Sequence, residues 1–261
     1  MNGILIANWY KMNWNLVTYS DERFGSTGTE QQSFVHRVHK NLTPHSYNRE
    51  WLESTDFYLE NKEVLDHDET GGLWAWKPYV ILDAIKKTQE GDFIIYCDRK
   101  DMFSPGLFNY IVKNLEKDEC CMLLLGNSIN KHYTKRDTFI LMDCDEEDYW
   151  NSRQLEAGFS VWKSCDQSIK ILNEYLKYCL DYRIVSGDTS NLGEDFDGFV
   201  EHRYDQSILT NIAIREGLPV GGDEFRNYIE CDYPYWYERN ESYGFSLGRE
   251  IDSFLVNIKN A

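Results

Sequence analysis

Four charged residues follow directly after a short apolar run. The run FIIYC, residues 93–97, is followed by Asp98, Arg99, Lys100 and Asp101. A carboxylate in such a position can bind a ribose hydroxyl or a divalent cation, and the basic neighbours can neutralise a diphosphate. A solvated turn whose charges pair with one another is the alternative, and the spacing alone does not decide between the two.

A second group of candidate residues lies in the segment GGLWAWKPY, residues 71–79. Its glycines would let the backbone pass close to a ligand, while Trp74 and Trp76 could offer flat faces to a sugar or a base. Lys77 could neutralise a phosphate. Because tryptophan is more commonly buried, packing in the core is the alternative interpretation of both indoles.

A third group is divided between QLEAGFSVWK and the later segment EHRYDQS. In the first segment Gly158 interrupts a strand, which suggests that something approaches the backbone closely there. His202, Asp205 and Gln206 lie in the second segment, just where an apolar helical pattern begins. For Asp205 the alternative is an N-cap, since aspartate is one of the residues that helix starts prefer. For His202 the alternative is an ordinary polar contact in a loop.

Alternating apolar strands and amphipathic helices predict an α/β fold with a doubly wound, mainly parallel sheet flanked by helices. Strands are predicted over 15–21 and 93–97 and in CCMLLLG and EAGFSVWK, with a short one in DFYLE. Helices are predicted over 30–41, from Pro78 onwards, in GLFNYIVKNLEK, and near 165–182 and 204–216. Because ligands of such sheets bind beyond the carboxyl ends of the strands, Asp98 is expected at the site. Residues 183–201 are expected to form a long loop.

Composition restricts the partners and the compartment. The 44 acidic and 27 basic residues give a net charge of −17, which would repel nucleic acid and anionic lipid, so no nucleic-acid partner is expected. No segment reaches the ~20 apolar residues of a membrane span, and no secretory signal is recognised at the start. The seven cysteines show no metal-binding spacing, so we expect reduced thiols. Together with the missing membrane span and secretory signal, this predicts a soluble, cytoplasmic protein.

Several of these segments together resemble a known family. In order over residues 70–218 they read GGLWAWKPYVILDAI, EGDFIIYCD, YTKRDTF, QLEAGFSVWK and EHRYDQSILTNIA. They resemble a group of glycosyltransferases with a W-x-W-K-P helix start, a Y-x-D strand end and an E-H-R-x-D-Q-S helix start. EAGFSVW and DQSILTN are also distantly similar to blocks of the glycogenin-like transferases. The resemblance implies the GT-A fold in one domain, residues 1–261, with a nucleotide-binding part at about 14–105 and an acceptor-side part at about 106–261.

The resemblance also implies residue roles on the side of the nucleotide-sugar donor. Asp98 matches the strand-end aspartate that faces the ribose and the metal-bridged diphosphate, and the end of the first strand, at Thr18 and Tyr19, would meet the nucleoside. The full set of expected donor-binding residues is Thr18, Tyr19, Arg23, Trp76, Lys77, Asp98, Arg99, Lys100 and Gln206.

On the catalytic side, Asp205 and Gln206 match a D-Q pair that lies beside the anomeric carbon in the glycogenin-like enzymes. Glu156 falls where those enzymes carry the asparagine of N-A-G. A carboxylate there would deprotonate the acceptor in an inverting reaction or stabilise the cationic centre in a retaining one. Asp205 is the first choice for this role, Glu156 is the second, and His202 is expected to assist.

The metal site departs from the usual GT-A pattern, D-x-D, because position 100 is lysine and the next acid is Asp101. Mn²⁺ or Mg²⁺ could still be held by Asp98 with Asp101, or with a distant ligand such as His202 or Asp205. Alternatively, Arg99 or Lys100 replaces the metal by neutralising the leaving diphosphate directly. Because the GT-A fold so often uses a metal ion, the resemblance favours a cation held by Asp98 and Asp101, and direct neutralisation by Arg99 or Lys100 is the alternative.

The sequence therefore predicts a glycosyltransferase, hexosyl or pentosyl, that moves a sugar from a nucleotide-diphosphate donor to a hydroxyl of a glycan or glycoconjugate. Its partners would be the nucleotide sugar and a glycan acceptor. The alternative is a catalytically inactive nucleotide-sugar or glycan-binding module of the same fold. A nucleotidyltransferase is less favoured, because only Arg23 and Gly25 approach the basic, glycine-rich loop expected after the first strand.

Overall fold

The computed structural model describes residues 12–21, 42–98, 102–104 and 106–230. The helix predicted over 30–41 lies outside these ranges. Six described strands form the main sheet in the spatial order β2-β1-β3-β6-β5-β7, and β4 pairs with β8 in a second sheet. The strands are β1 Trp14–Ser20, β2 Leu42–Asn48, β3 Phe93–Cys97, β4 Met102–Phe103, β5 Cys121–Ile129, β6 Arg153–Lys163, β7 Val220–Gly221 and β8 Ile229–Glu230.

The sheet confirms the predicted fold class. Five described strands of the main sheet run in the same direction, and β6 runs against them between β3 and β5. β3 is buried along its whole length, which explains its unbroken run of apolar residues. The sheet is therefore mainly parallel, with one reversed strand in its centre.

Helices cover both faces of this sheet. One apolar cluster packs α5, α10 and α12 against one face, and a second cluster packs α6 and Phe225 of α13 against the other. The helices described are α1 Arg49–Glu53, α2 Asp56–Glu60, α3 Lys62–Leu65, α4 Thr70–Leu73, α5 Lys77–Lys86, α6 Gly106–Asn114, α7 Asn130–Tyr133, α8 Arg136–Leu141, α9 Glu147–Trp150, α10 Asp166–Cys179, α11 Tyr182–Val185, α12 Tyr204–Glu216 and α13 Asp223–Arg226.

The prediction of a strand in DFYLE is wrong, because residues 56–60 form helix α2. The Thr55 side chain caps this helix by accepting a hydrogen bond from the backbone N–H of Tyr58. The second strand is instead β2, in LTPHSYN, which pairs in parallel with β1 at the edge of the sheet. Its polar residues point outward at this edge, so it carries little apolar pattern.

A large irregularity interrupts the pairing of β5 with β6. Leu123 pairs with Ser160, but the next residue, Leu124, pairs with Glu156. Residues 157–159 therefore have no partner on β5, and such a bulge changes the face to which the following side chains point. Around this bulge the backbone N–H of Asp98 donates to the carbonyl of Gly158 at 2.7 Å, which fixes the end of β3 against β6.

The chain enters α5 through α4, which is a single left-handed turn rather than an ordinary helix. The backbone angle φ is 53° at Thr70, 66° at Gly71, 97° at Gly72, 53° at Leu73 and 52° at Trp74. The left-handed conformation costs a residue with a side chain about 1–2 kcal/mol, so this turn must be held by its surroundings. The backbone N–H of Gly72 donates to the carbonyl of His67 at 2.9 Å, which closes the turn.

The six cysteines within the described ranges are all free. No helix in those ranges is both long and apolar enough to cross a membrane.

The left-handed turn yields a first prediction. A Cβ atom at Gly72 would lie 2.6 Å from the carbonyl oxygen of Leu65, whereas one at Gly91, where φ is also positive, would meet nothing within 4 Å. Gly91→Ala should therefore cost only the conformational term of about 1–2 kcal/mol, and Gly72→Ala should cost clearly more. Urea unfolding measures both free energies, and equal losses would contradict the close approach at Gly72.

Candidate functional site

Three charged side chains meet at the carboxyl edge of the sheet. Lys77 is the first residue of α5, whose start is favoured by Pro78. Asp98 directly follows β3, and Asp205 lies in the first turn of α12. The ends of three separate elements therefore place one ammonium group and two carboxylates together.

Lys77 connects the two acids. Its Nζ lies 2.8 Å from Oδ2 of Asp205 and 3.9 Å from Oδ1 of Asp98. It also donates a hydrogen bond to the carbonyl oxygen of Ala157 at 3.2 Å, on the part of β6 that continues past the end of β3. The contact with Asp205 is thus a hydrogen-bonded ion pair, while that with Asp98 is a longer ion pair.

Each carboxylate also accepts a hydrogen bond from a tyrosine. The hydroxyl of Tyr175 donates to Oδ2 of Asp205 at 2.8 Å, and that of Tyr96 donates to Oδ1 of Asp98 at 2.6 Å. Burial, reinforced by the neighbouring carboxylates, raises the pKa of both phenols well above the ordinary value. Both tyrosines therefore remain protonated and act as donors.

The three charged groups differ in their access to solvent. The side chains of Lys77 and Asp205 are 4% and 3% exposed, whereas that of Asp98 is 28% exposed. Burial by itself would lower the pKa of Lys77, but the charges of Asp205 and Asp98 outweigh it and raise this pKa. Burial raises the pKa of Asp205, opposed by Lys77 and Tyr175. Since an ammonium and a hydroxyl both donate to it, we assign Asp205 as the carboxylate of an ion pair.

Asp205 is therefore not an N-cap. Arg203 occupies the N-cap position of α12, and no side chain caps this helix. The Asp205 carboxylate points to Lys77 and Tyr175 instead. The interpretation of Asp205 as a helix cap, which its position in the sequence suggested, is therefore wrong.

A buried network of amides fixes the start of α12. Oε1 of Gln206 accepts a hydrogen bond from the backbone N–H of Ala157 at 3.3 Å, and its Nε2 donates to Oε1 of Gln154 at 2.9 Å. Gln154 in turn donates to the hydroxyl of Ser207 at 3.1 Å and to the carbonyl of Tyr133 at 3.1 Å. Both ends of the Gln206 amide are thus used within the protein, and its contact with a donor stays a prediction.

Three of the expected donor-binding residues lie in the core, including the two expected to meet the nucleoside. Thr18, Tyr19 and Trp76 are 4%, 6% and 3% exposed. The rings of Tyr19 and Trp76 stack on each other, with centroids 3.7 Å apart and an angle of 20° between their planes. These rings pack together rather than forming an open platform, so a direct contact with donor also stays a prediction.

Glu156 points away from this group. It lies between Leu155 and Ala157, whose side chains belong to the apolar cluster on the face of α5, and successive side chains of a strand point to opposite faces. On the other face it forms an ion pair with Arg226, whose Nη1 lies 2.9 Å from Oε2 of Glu156. The structure therefore does not bring Glu156 and Asp205 together.

His202 is buried beside a different lysine. Its Nδ1 accepts a hydrogen bond from the backbone N–H of Lys135 at 3.3 Å, and the residue is 5% exposed. Burial, together with the Lys135 charge, lowers the pKa of His202 to about 3, so the imidazole is neutral at physiological pH. Its contacts are those of a structural histidine, and its assistance in catalysis stays a prediction.

Four of the predicted site residues, Arg23, Arg99, Lys100 and Asp101, lie outside the described ranges. Within those ranges, no group of three or more His, Cys, Asp or Glu side chains is placed to hold a metal ion. Asp98 and Asp205 have Lys77 between them. The described residues therefore do not fit a divalent cation, and we derive no step through one.

The two tyrosines of the site were missed by the sequence analysis. Tyr96 could have been found, because residues two apart in an extended strand point to the same side and Asp98 follows at that spacing. Tyr175 lies 30 residues before Asp205, in the middle of an amphipathic helix, where it resembles any other core residue. No signal in the sequence connects it with Asp205.

Comparison with known proteins finds similar folds only among solved structures, since no family model and no curated protein match. Mouse xyloside xylosyltransferase 1, in its apo form, is 12% identical, with 88% of this chain and 90% of that chain covered and a TM-score of 0.43. The galactosyltransferase LgtC, in complex with donor and acceptor sugar analogues, is 11% identical, with coverage of 79% and 73% and a TM-score of 0.43.

A third similar structure is a glycosyltransferase involved in glycosylation of the major capsid of PBCV-1, with 10% identity and a TM-score of 0.36. The match covers 63% of this chain and 65% of that chain, which is less than two thirds of its length. All three similar structures are those of glycosyltransferases. At these identities and TM-scores, no residue role is transferred from them.

The ion pair yields a second prediction. Lys77→Met leaves the Asp205 carboxylate buried without its counter-charge. The free energy of unfolding should therefore fall by about 3–5 kcal/mol. Lys86→Met is the matched control on the exposed side of the same helix, with an expected change within about 0.5 kcal/mol. Replacing both partners, by Lys77→Met with Asp205→Leu, should recover much of the loss. A double variant as unstable as the single one in urea unfolding would contradict the charge explanation.

His202 yields a third prediction. Its ordinary pKa of 6.5 applies to the unfolded chain, and the folded value is about 3. As the pH falls through this window only the unfolded state takes up the proton, so stability is full above 6.5 and is lost towards 3. His202→Gln should reduce the dependence of the unfolding free energy on pH, between about pH 6 and 4, by up to about 1.4 kcal/mol per unit. Urea unfolding at a series of pH values measures this slope, and an unchanged slope would refute the assignment.

Proposed function

We propose that this protein transfers a sugar from a nucleoside-diphosphate sugar to a hydroxyl group of a glycan or glycoconjugate. One observation carries the proposal: the Asp98 carboxylate, partly exposed at the carboxyl edge of a mainly parallel sheet, is held by Lys77 and Tyr96. Ligands of such sheets bind at this edge. The resemblance of the sequence blocks to glycosyltransferases supports the same conclusion.

In this proposal Asp98 orients the donor. An ionised carboxylate accepts up to about four hydrogen bonds, so Asp98 can bind ribose hydroxyls while it keeps its contact with Tyr96. Because that contact and Lys77 fix the carboxylate in advance, little ordering remains when the donor binds. In the arrangement described, Asp205 holds the Lys77 ammonium next to Asp98.

The charge of the site sets a further requirement. Two carboxylates and one ammonium leave one negative charge, which opposes the binding of a diphosphate. Additional positive charge must come from elsewhere, and Arg99 and Lys100 follow Asp98 directly in the sequence. We propose that these two residues neutralise the leaving diphosphate. Dependence on Mn²⁺ or Mg²⁺ remains the alternative, which would involve Asp101.

Transfer also needs a group that acts at the anomeric carbon or on the acceptor hydroxyl. Asp205, Glu156 and His202 remain the candidates from the sequence. Asp205 and His202 are 2% and 5% exposed, so a direct contact of either with substrate requires a local opening. Glu156 is more accessible but is bound to Arg226.

The burial of Asp205 also favours a second candidate function. If its carboxylate never leaves Lys77 and Tyr175, the protein would bind nucleotide sugars without transferring them. Such a module would retain the donor site at Asp98. Donor binding without hydrolysis or transfer would identify it.

Donor binding gives the fourth prediction. A ligand that binds only the folded state raises its stability, by about 2.7 kcal/mol when it is present at 100 times its dissociation constant. A screen of UDP-, GDP- and TDP-sugars should therefore find at least one that raises the melting temperature. Asp98→Asn should remove that increase. Asp92→Asn, at the opposite end of β3, should retain it.

Two further arms of the screen decide how the diphosphate is held. If Arg99 and Lys100 supply the charge, excess EDTA leaves the shift unchanged, and the Arg99→Ala, Lys100→Ala double variant loses it. If a divalent cation supplies the charge, the shift needs Mn²⁺ or Mg²⁺. If no nucleotide sugar raises the melting temperature, with or without Mn²⁺ or Mg²⁺, both candidate functions are refuted.

A further inference from the structure

A line of two half-buried aromatic side chains, Trp74 and Tyr204, extends from Lys77 towards solvent. The Lys77 ammonium lies 5.9 Å from the centre of the Trp74 ring, and the Trp74 ring meets the ring of Tyr204 edge to face, with centroids 5.4 Å apart. The hydroxyl of Tyr204 then donates to Oε2 of Glu69 at 3.3 Å. Because Glu69 is exposed, the line starts beside the candidate donor site and ends in open solvent.

Both rings are held in place by unusual backbone. Trp74 has a φ of 52° and Tyr204 a φ of 44°, in the left-handed region that residues with side chains rarely adopt. Trp74 belongs to the turn that leads into α5, and Tyr204 begins α12, so each precedes a member of the Lys77–Asp205 ion pair closely in the chain. The ion pair thus positions the two rings together with the charged groups.

We propose that Trp74, Tyr204 and Glu69 form a subsite for a neutral pyranose ring of the acceptor. The identification of this sugar as the acceptor rests on the proposed function. The binding of a sugar at these residues does not depend on that function. The CH face of a pyranose packs against an aromatic ring, and its hydroxyls need acceptors such as a carboxylate. Trp74 supplies the ring, and Glu69 supplies a carboxylate that still has capacity beyond the single bond from Tyr204.

The surrounding charge favours a neutral sugar over an anionic ligand. Glu201 lies near enough to Tyr204 to act on its ionisation, and Glu69 is in direct contact with it. Burial and these carboxylates raise the pKa of Tyr204 to about 12, so its hydroxyl stays a hydrogen-bond donor. Arg203 partly balances Glu201, since its Nε lies 3.3 Å from Oε1 of that residue, so the exposed Glu69 carboxylate is the main charge that would repel a phosphate or a uronic acid. This charge separates the subsite from the place of the diphosphate.

The open end of the line favours the acceptor over the donor sugar. The donor sugar is attached to its diphosphate and is confined to the neighbourhood of Asp98. An acceptor glycan arrives from solvent and continues beyond the reacting ring, so it needs a path that is open at its outer end. Glu69 lies at such an end, since it is exposed on the segment before the left-handed turn.

Fluorine NMR of the full chain labelled with 5-fluorotryptophan tests this subsite. The chain has eight tryptophans, and the spectrum of Trp74→Phe identifies the resonance of Trp74. Methyl glycosides of glucose, galactose, mannose, xylose and N-acetylglucosamine are titrated without any nucleotide. At least one should shift the Trp74 resonance saturably, while uridine and guanosine should leave it unchanged.

Two variants show whether Glu69 and Tyr204 contact the sugar. Glu69→Gln should weaken binding of the responding glycoside about tenfold, the effect of a hydrogen bond to a charged group, and Tyr204→Phe should weaken it less. Glu63→Gln is the matched control, an exposed glutamate that lies in α3 shortly before the turn. It should bind the glycoside as the wild type does.

Three outcomes would overturn the subsite. The first is a Trp74 resonance that no glycoside shifts. The second is a resonance that responds to a free nucleoside, or to a nucleotide sugar but to no glycoside, because the surface then belongs to the donor. The third is Glu69→Gln with unchanged affinity. Failure of the donor screen would leave glycoside binding at Trp74 intact, so the two proposals fail separately.

Discussion

The burial of the Lys77 ammonium is the constraint on which the candidate site depends. An ammonium group with 4% exposure is stable only with nearby carboxylates, and here it has Asp205 in direct contact and Asp98 farther away. These groups come from α5, from the end of β3 and from α12, so all three elements must end at one place. The reversed strand β6 completes the arrangement, because its bulge presents the carbonyl of Ala157 to the same ammonium.

The hydrogen-bonded amides of Gln154 and Gln206 lie beside this ion pair and restrict how the surrounding elements can be arranged. Gln154 and Gln206 connect α12 to β6 and to the end of α7, and their hydrogen bonds are directional in a way that apolar packing is not. A fully bonded network of this kind fixes one arrangement of its elements, whereas any missing partner would leave a buried polar group unpaired. Such rigidity suits a site in which Asp98 must keep one orientation with or without a ligand.

Much of the fold could be predicted from the sequence, since the buried strand at 93–97 and the helix that follows Trp76 carry strong local patterns. The helix in DFYLE could not, because its five residues are too short for a period and its Thr55 cap looks like any loop threonine. Within the site, the pairing of Tyr96 with Asp98 follows from strand geometry. The pairing of Lys77 with Asp205 connects residues far apart in the chain, and no local pattern reports a contact that only the folded sheet creates.

Contacts that only the folded sheet creates also explain why residue type alone was an incomplete guide to function. Lys77 looked like a phosphate ligand and Asp205 like a catalytic carboxylate or a helix cap, yet each satisfies most of the other's charge. What their pairing leaves to solvent is the Asp98 carboxylate on one side and the Trp74–Tyr204 pair on the other. The Nζ of Lys77 lies 3.9 Å from Oδ1 of Asp98 and 5.9 Å from the centre of the Trp74 ring, so one buried ammonium borders both the strand end and the left-handed turn.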